Sequence, residues 1–446
     1  MTKKFIKPLM LTTAAFAALS IPAQAVDTES LYIFNTLLFL IGGFLVMFMA
    51  AGFTMLEAGL VRTKNVGDIC LKNVLLYAIA CIMFYVLGYD LMYSGVDGGW
   101  LGSFSVWGAD DSAALTDGAA PYAAGSDFFF QMVFVATTAS IVSGTVAERI
   151  KLFPFLAFTI ILAAVIYPIQ GAWHWGTGFL HSESFAAFTG GEFLDFAGST
   201  TVHSTGGWAA LVGAIILGPR LGRFTKSGAP RPMPGSNIPM ATLGTFILWF
   251  GWFGFNGASQ LALGSAVDAI AVSNIFVNTN MAAAGGAVVA ALLTKAFYKK
   301  VDITMVLNGA LAGLVSITAE PLTPSVGQAI LIGGFGAVLV TFAVPLFDKL
   351  KIDDVVGALS VHLVCGIWGT LAVVFTNDSA TLLAQLSGIV LVGSFVVSTS
   401  ALAWYGLKKT VGIRLHDEDE AMGSDMAELG MEAYPEFGRG SQKLGF

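Results

Sequence analysis

The stretch DFAGSTTVHSTGG, running from Asp195 to Gly207, sets an aspartate and, eight residues later, His203 into an otherwise apolar run. The pattern returns in DDVVGALSVHLVCGIWG, Asp353 to Gly369, where Asp354 precedes His362 by the same eight residues. Both histidines stand in a Val-His-x-x-x-Gly context, ending at Gly207 and Gly366. One copy falls in the fifth apolar run and the other in the tenth. Five crossings leave a chain on the far side of a bilayer. Two five-span units in series are therefore inverted, an arrangement whose sites lie near the midplane at the repeat interface. Each histidine sits more than two helical turns inside its aspartate at about 1.5 Å per residue, so the pair is expected to meet from opposite sides near mid-membrane.

The rest of the chain agrees with a membrane setting. Its 446 residues are 56% hydrophobic and 11% charged, against roughly a quarter charged in soluble domains. Apolar runs recur along the whole length, each long enough to cross a hydrocarbon core of about 30 Å. They mark about eleven spans, centred near Gly43, Ala80, Thr137, Ile160, Trp208, Trp249, Ala283, Leu311, Gly334, Gly366 and Ser394. The expected fold is an all-α polytopic membrane protein: two inverted five-helix repeats plus a final helix. The opening MTKKFIKPLMLTTAAFAALSIPAQA reads as an export signal over residues 1–25, with a basic start, a short apolar core and a small-residue end. A helical domain over 26–407 and a cytoplasmic tail over 408–446 follow.

Lys and Arg set the orientation, because inward loops hold them. Arg62, Lys64 and Lys72 follow the first span, Arg149 and Lys151 the third, and Arg220, Arg223, Lys226 and Arg231 the fifth. Lys295, Lys299 and Lys300 follow the seventh, Lys349 and Lys351 the ninth, and Lys408, Lys409, Arg414, Arg439 and Lys443 lie in the tail. The opposite loops carry acids and no Lys or Arg. The N-terminus is therefore expected outside and the C-terminus inside, in a cytoplasmic membrane, that of a bacterium fitting best. The formal charge of −7 gives no basic surface for nucleic acid. Cys70, Cys81 and Cys365 show neither metal-site nor disulfide spacing, and no nucleophile or metal constellation suggests an enzyme.

Each motif residue has two readings. A histidine in an apolar helix either bonds a neighbouring helix or marks a route for ions or protons, and two placed symmetrically favour the route. An aspartate opening a helix caps its free N–H groups, and Asp195 and Asp354 are expected to do so, with electrostatic help to a cation as an addition. Burial keeps the imidazoles neutral, each with one donor and one acceptor. A bare unpaired cation there would cost up to tens of kcal/mol, and no acid lies within a turn of either histidine. The column suits a small neutral hydrogen-bonding molecule, or a cation able to shed a proton. Trp175, Phe130, Phe134 and Phe255, with Ser259, lie near the outer span ends, where ring faces attract ammonium-type cations but also form ordinary interfacial belts.

The motif DFAGSTTVHSTGGWAALVGAIILGPRLGR resembles the signature of the ammonium transporter (Amt/Mep/Rh) family, in its Amt branch. So do AGLVRTKN (Ala58–Asn65), GTVAERIK (Gly144–Lys151), GWFGFNGAS (Gly251–Ser259) and VVGALSVHLVCGIWG (Val355–Gly369). The resemblance implies that His203 and His362 are twin histidines of a hydrophobic pore, and that Trp175, Phe134 and Ser259 recruit ammonium with the serine hydroxyl accepting a hydrogen bond. Phe134 and Phe255 would be a stacked phenyl gate, Phe130 a further vestibule aromatic, Asp195 the acid beneath the recruitment site and Asp354 its counterpart. It implies ammonium or ammonia as substrate (methylammonium as an analogue), a homotrimer in the lipid bilayer, no cofactor or metal, and a PII-type signal protein at the cytoplasmic face. Leu429-Gly430-Met431 departs from the family's usual His-Gly-Glu type triplet, and the tail reads either as that regulatory element or as a solvated acidic end. The rim from Trp175 to Asp195 is longer than the family suggests, so His181 and Glu183 take no role from it. Two rival readings remain: an ammonium sensor with little flux, and a passive Rh-like gas channel. A sodium-coupled transporter lacks its broken-helix pair.

Overall fold

The structure is a computed structural model that describes residues 27–116 and 120–436; the expected signal at 1–25 and the basic residues Arg439 and Lys443 lie outside the described residues. Helices dominate because hydrocarbon offers the backbone no hydrogen bonds, so each crossing must satisfy its own N–H and C=O groups. They are α1 (Thr28–Leu60), α2 (Thr63–Tyr93), α3 (Ala124–Val146), α4 (Leu152–Ala172), α5 (Ser199–Leu217), α6 (Ile238–Gln260), α7 (Ala266–Tyr298), α8 (Ile303–Ile317), α9 (Val326–Lys349), α10 (Leu359–Phe375) and α11 (Leu382–Thr410). Among the described residues nine are long and apolar enough to cross a membrane; α8 and α10, where spans near Leu311 and Gly366 were expected, are shorter apolar helices. The helix starts carry their own signals: Asn237 caps α6, Ser265 caps α7, and Ser325 forms a reciprocal capping box with Gln328 at α9. Ile33, Leu37, Phe44 and Phe48 lie exposed along α1, an apolar outer face of the kind that lipid or another protein surface covers.

The two motif helices cross at the centre. Both α5 and α10 open with a π-helical turn that carries the histidine, Ser199–Ser204 and Leu359–Val364. Each turn is entered through a glycine three residues after the aspartate, Gly198 at φ 107° and Gly357 at φ 84°, a backbone state open to glycine but not to a bulky residue. Thr200 and Thr370 share a hydroxyl–hydroxyl bond of 2.7 Å. A Cβ at Gly366 would lie 2.5 Å from Ser204 Oγ, and one at Gly207 2.8 Å from Leu363 Cα and N. Partners 200 with 370, 204 with 366 and 207 with 363 run in opposite order, so α5 and α10 pass antiparallel. The two motif glycines play the same part: each gives way to the residue just after the other copy's histidine.

The basic residues collect at one end with the acids that neutralise them. Arg220 grips Asp353 with Nε and Nη2 at 2.8 and 2.9 Å and Glu148 with Nη1 at 2.9 Å. Arg223 Nε adds a bond to Asp353 at 3.2 Å, and Arg149 donates to the backbone carbonyls of Gly218, Thr145, Ala147 and Asp353. Burial alone would raise the Asp353 carboxyl, but its bonds from Arg220 and the nearby Arg149 charge hold it well below the usual carboxylate range. Lys72, expected in a loop, instead lies buried within α2, where its Nζ binds Asp68 at 2.6 Å and the Ile150 carbonyl at 2.9 Å. The tail is not merely solvated. Lys64 donates to the Glu420 and Ala421 carbonyls, Leu221 N donates to Glu420 Oε1 at 2.6 Å, and Asp68 N donates to Asp425 Oδ1 at 2.8 Å.

Arg220→Met leaves two buried carboxylates short of a cation, and the expected cost is about 3–5 kcal/mol at neutral pH, read from thermal unfolding in detergent. A depressed carboxyl stabilises the fold above its unfolded value of about 3.9 and loses that contribution as pH falls through the folded value. The gap between wild type and variant should therefore narrow in acid. An equal midpoint at pH 7 would show the network to be energetically idle.

Candidate functional site

At the end of the bundle opposite the charged network, a cavity of about 320 Å³ is lined by Phe130, Phe134, Trp175 and Ser259 together with Tyr89, Tyr122 and Asp127. Phe130 and Phe134 are one turn apart on α3, their rings edge-to-face at 4.8 Å. Trp175 sits in the turn after α4; its Nε1 donates to the Asp195 carbonyl at 2.9 Å, and its ring stands edge-on to Phe134 at 6.0 Å. The Ser259 hydroxyl donates to the Phe255 carbonyl at 2.8 Å. Its proton is thereby committed, so toward the cavity the oxygen is an acceptor. Three π faces and a hydroxyl acceptor make a surface suited to a small hydrogen-bonding cation. The long rim folds into two short helices, Phe179–His181 and Glu183–Thr189, and between Trp175 and Asp195 only Trp175 reaches the cavity wall.

Below this cavity the column is a run of stacked, buried rings. Phe134 and Phe255 stack at 4.1 Å between centroids with 27° between planes, and both are buried. The His203 ring follows at 5.4 Å from Phe255, and His362 at 5.2 Å from His203. The two Nδ1 atoms are 3.1 Å apart. One neutral ring must donate and the other accept, so their tautomers are complementary: one carries its proton on Nδ1, the other on Nε2. Trp252 stacks on His203 at 5.0 Å and donates from Nε1 to Thr318 Oγ1 at 2.8 Å, which fixes the imidazole from the side. His203 Nε2 has no hydrogen-bond partner among the described residues, leaving a polar atom for whatever occupies the column.

The aspartates act as caps from a distance. Asp195 Oδ2 accepts from Thr200 N at 3.0 Å, Thr201 N at 2.8 Å and Thr201 Oγ1 at 2.9 Å. Asp354 Oδ2 accepts from Leu359 N at 2.8 Å, and its Oδ1 from Thr145 Oγ1 at 3.1 Å. Both stand in the loops ahead of their helices, and burial pushes each carboxyl up to about 6 against the lowering pull of those bonds.

Past His362 lies a second cavity, of about 10 Å³, whose walls include Phe53, Glu57, Ser140, Asn308 and His362. Glu57 changes the sequence expectation. No acid lies within a turn of a histidine along its own helix, yet α1 brings one to the same cavity from across the bundle. The structure thus gathers Phe130, Phe134, Trp175, Ser259, Phe255, His203 and His362 along one column, sets Asp195 and Asp354 back from it as caps, and adds Trp252, Asp127 and Glu57. Two of these had a signal in the sequence, since a solitary acid in an apolar span marks function more often than not. Trp252 had none, because apolar packing and ring stacking look alike in sequence.

With this geometry in hand, comparison with known proteins gives a single answer. The sequence model of the Ammonium Transporter Family matches residues 37–434. Ammonium transporter Amt2 of Archaeoglobus fulgidus is 42% identical over 427 residues, covering 89% of this chain and 87% of its own. A solved structure described as a sensor Amt protein superposes with a TM-score of 0.81 at 35% identity, covering 89% of this chain and 98% of its own. The crystal structure of Candida albicans Mep2 follows with a TM-score of 0.76 at 27% identity, covering 92% and 93%.

If Asp195 serves α5 as a cap, Asp195→Ala should cost about 1–2 kcal/mol, while Asp195→Asn, which keeps an acceptor oxygen, should cost less. Thermal unfolding of the two variants measures this; equal losses would mean that the charge, not the cap, is what the fold uses.

Proposed function

The chain belongs to the ammonium transporter family, and on that premise we propose that it recruits ammonium among Trp175, Phe134 and Ser259, sheds its proton beneath the Phe134–Phe255 pair to the open His203 Nε2, the first base in the column, and conducts ammonia past His203 and His362. The observation that carries this reading is the order of groups along one line: cation-attracting rings, a closed phenyl stack, then a buried neutral histidine pair. Selectivity follows from charge. Potassium resembles ammonium in size and charge but has no proton to surrender, and its bare charge would meet a desolvation cost of up to tens of kcal/mol beside the rings. Ammonia crosses as a hydrogen-bonding neutral, using the donor and acceptor that complementary imidazoles provide.

The same proposal includes eleven spans in two inverted repeats with the N-terminus outside, supported by the antiparallel crossing of α5 and α10 and by the basic residues gathered at one end. It also includes a cleaved signal at 1–25, a bacterial inner membrane, a homotrimer with one pore per subunit, and a PII-type protein at the cytoplasmic face near the docked tail. A second reading, an ammonium sensor with little flux, draws support from the likeness to a solved sensor Amt protein.

Proteoliposomes given an ammonium jump separate these readings, with current and interior pH recorded on one preparation. Current or rapid alkalinisation supports transport; silence in both, with ammonium binding still detected by tryptophan fluorescence, supports the sensor. Trp175→Leu is expected to raise the half-saturating ammonium concentration about 2- to 30-fold, the loss of one cation–π contact; an unchanged value would remove Trp175 from the recruitment site. His203→Ala is expected to abolish discrimination between ammonium and potassium, and an unaltered current ratio would overturn its assigned role.

A further inference from the structure

Glu57 is 1% exposed, lies on α1 and shares the small cavity beyond the histidine pair with His362. Its oxygens are held by neutral donors: Ser143 Oγ on Oε1 and Asn73 Nδ2 on Oε2, each at 2.7 Å. The nearest cation, Lys72, spends its Nζ on Asp68 and the Ile150 carbonyl. Room for the carboxylate is left by Gly144, where a Cβ would lie 2.9 Å from Oε1. A buried carboxylate without an ion pair is costly, and hydrogen bonding alone would be served as well by glutamine.

The setting is instead fitted to a group that gains and loses a proton. Ser143 has one hydroxyl proton but two acceptors, Glu57 Oε1 and the Ser140 carbonyl, both at 2.7 Å. While Glu57 is ionised the hydroxyl donates to it. Once Glu57 is protonated the hydroxyl turns to Ser140 and its oxygen accepts the new O–H, so both charge states are fully bonded without backbone movement. The cavity of about 10 Å³ is at the size that holds one water, a single link between His362 and the carboxylate.

We propose that Glu57 is the proton-exchanging group at the far end of the column: it takes up the proton released when ammonium enters as ammonia, and returns it to the ammonia that arrives. The step rests on the transport reading above, and it balances. One proton, passed by way of the histidine pair and the bridging water, converts the carboxylate to the acid. The acid's O–H bond then breaks as an N–H bond forms on ammonia, ammonium leaves, and the carboxylate is restored. Net charge crosses with each cycle.

The test is the ammonium-evoked current of the full-length protein in proteoliposomes, with interior pH followed on the same preparation, for wild type, Glu57→Gln, Glu57→Asp and Ser143→Ala. The expected result for Glu57→Gln is a current reduced at least about 100-fold, the lower end of the usual contribution of a positioned acid–base group, with ammonia-driven alkalinisation retained. Glu57→Asp should recover part of the current. Ser143→Ala should keep current but shift its pH dependence, and it decides the matter if the glutamine variant does not fold. A wild-type current left unchanged by Glu57→Gln, or a pH profile unchanged in a Ser143→Ala protein that must stand in for it, overturns the proposal. Wild-type alkalinisation without current also overturns it while leaving ammonia transport standing; wild-type silence in both records removes the transport reading itself.

Discussion

The contact on which the molecule turns is the 3.1 Å approach of two imidazole nitrogens from opposite halves of the chain. That distance requires α5 and α10 to cross at near backbone contact, and glycine alone allows it: Gly207 yields to Leu363, and Gly366 to Ser204. Each helix must also begin in the right place, which the positive-φ glycines Gly198 and Gly357 and the caps Asp195 and Asp354 arrange. The motif Asp-x-x-Gly, then Val-His-x-x-x-Gly, is thus one device used twice: a cap, a turn-in, a bonding ring and a gap for the opposite copy.

A medium without water explains why so much structure surrounds two rings. An unmatched polar atom in hydrocarbon costs several kcal/mol, which gives the bonds along the column their weight: Thr318 takes the Trp252 proton, the Asp195 carbonyl that of Trp175, and the Phe255 carbonyl that of Ser259. What remains open then carries meaning. The lone pair of Ser259, the unpartnered His203 Nε2 and the Ser143 hydroxyl, whose one proton faces two acceptors, follow one another from one end of the column to the other. On the proposed reading they are where a passing molecule or proton finds a partner.

The opposite end obeys different electrostatics. Guanidinium groups of Arg220 and Arg223 and the carboxylates of Glu148 and Asp353 are stacked in a small volume, where low dielectric strengthens each pair but makes any unpaired member expensive. The tail joins this framework through Glu420, which Leu221 N and Arg414 both address. The tail is therefore bonded directly to the segment that follows α5.

The sequence by itself determined the class, the repeat and the column's two central residues. Hydropathy is a one-dimensional property, and an Asp–His spacing repeated across 159 positions is visible to inspection. It also carried the family, through motifs spread over most of the chain. Only the tertiary structure decided which side chains from distant helices share a space. Glu57 on α1 meets His362 on α10, Asp127 closes against Tyr89, and Trp252 covers His203. No local pattern encodes those meetings, because the distance between helices is set by glycines and by packing across the bundle, not by the periodicity of any one segment. For the same reason the helix lengths were not legible: α8 and α10 are shorter than the other apolar helices, and at α10 the backbone geometry at Gly357 and the π-helical turn decide where the helix begins.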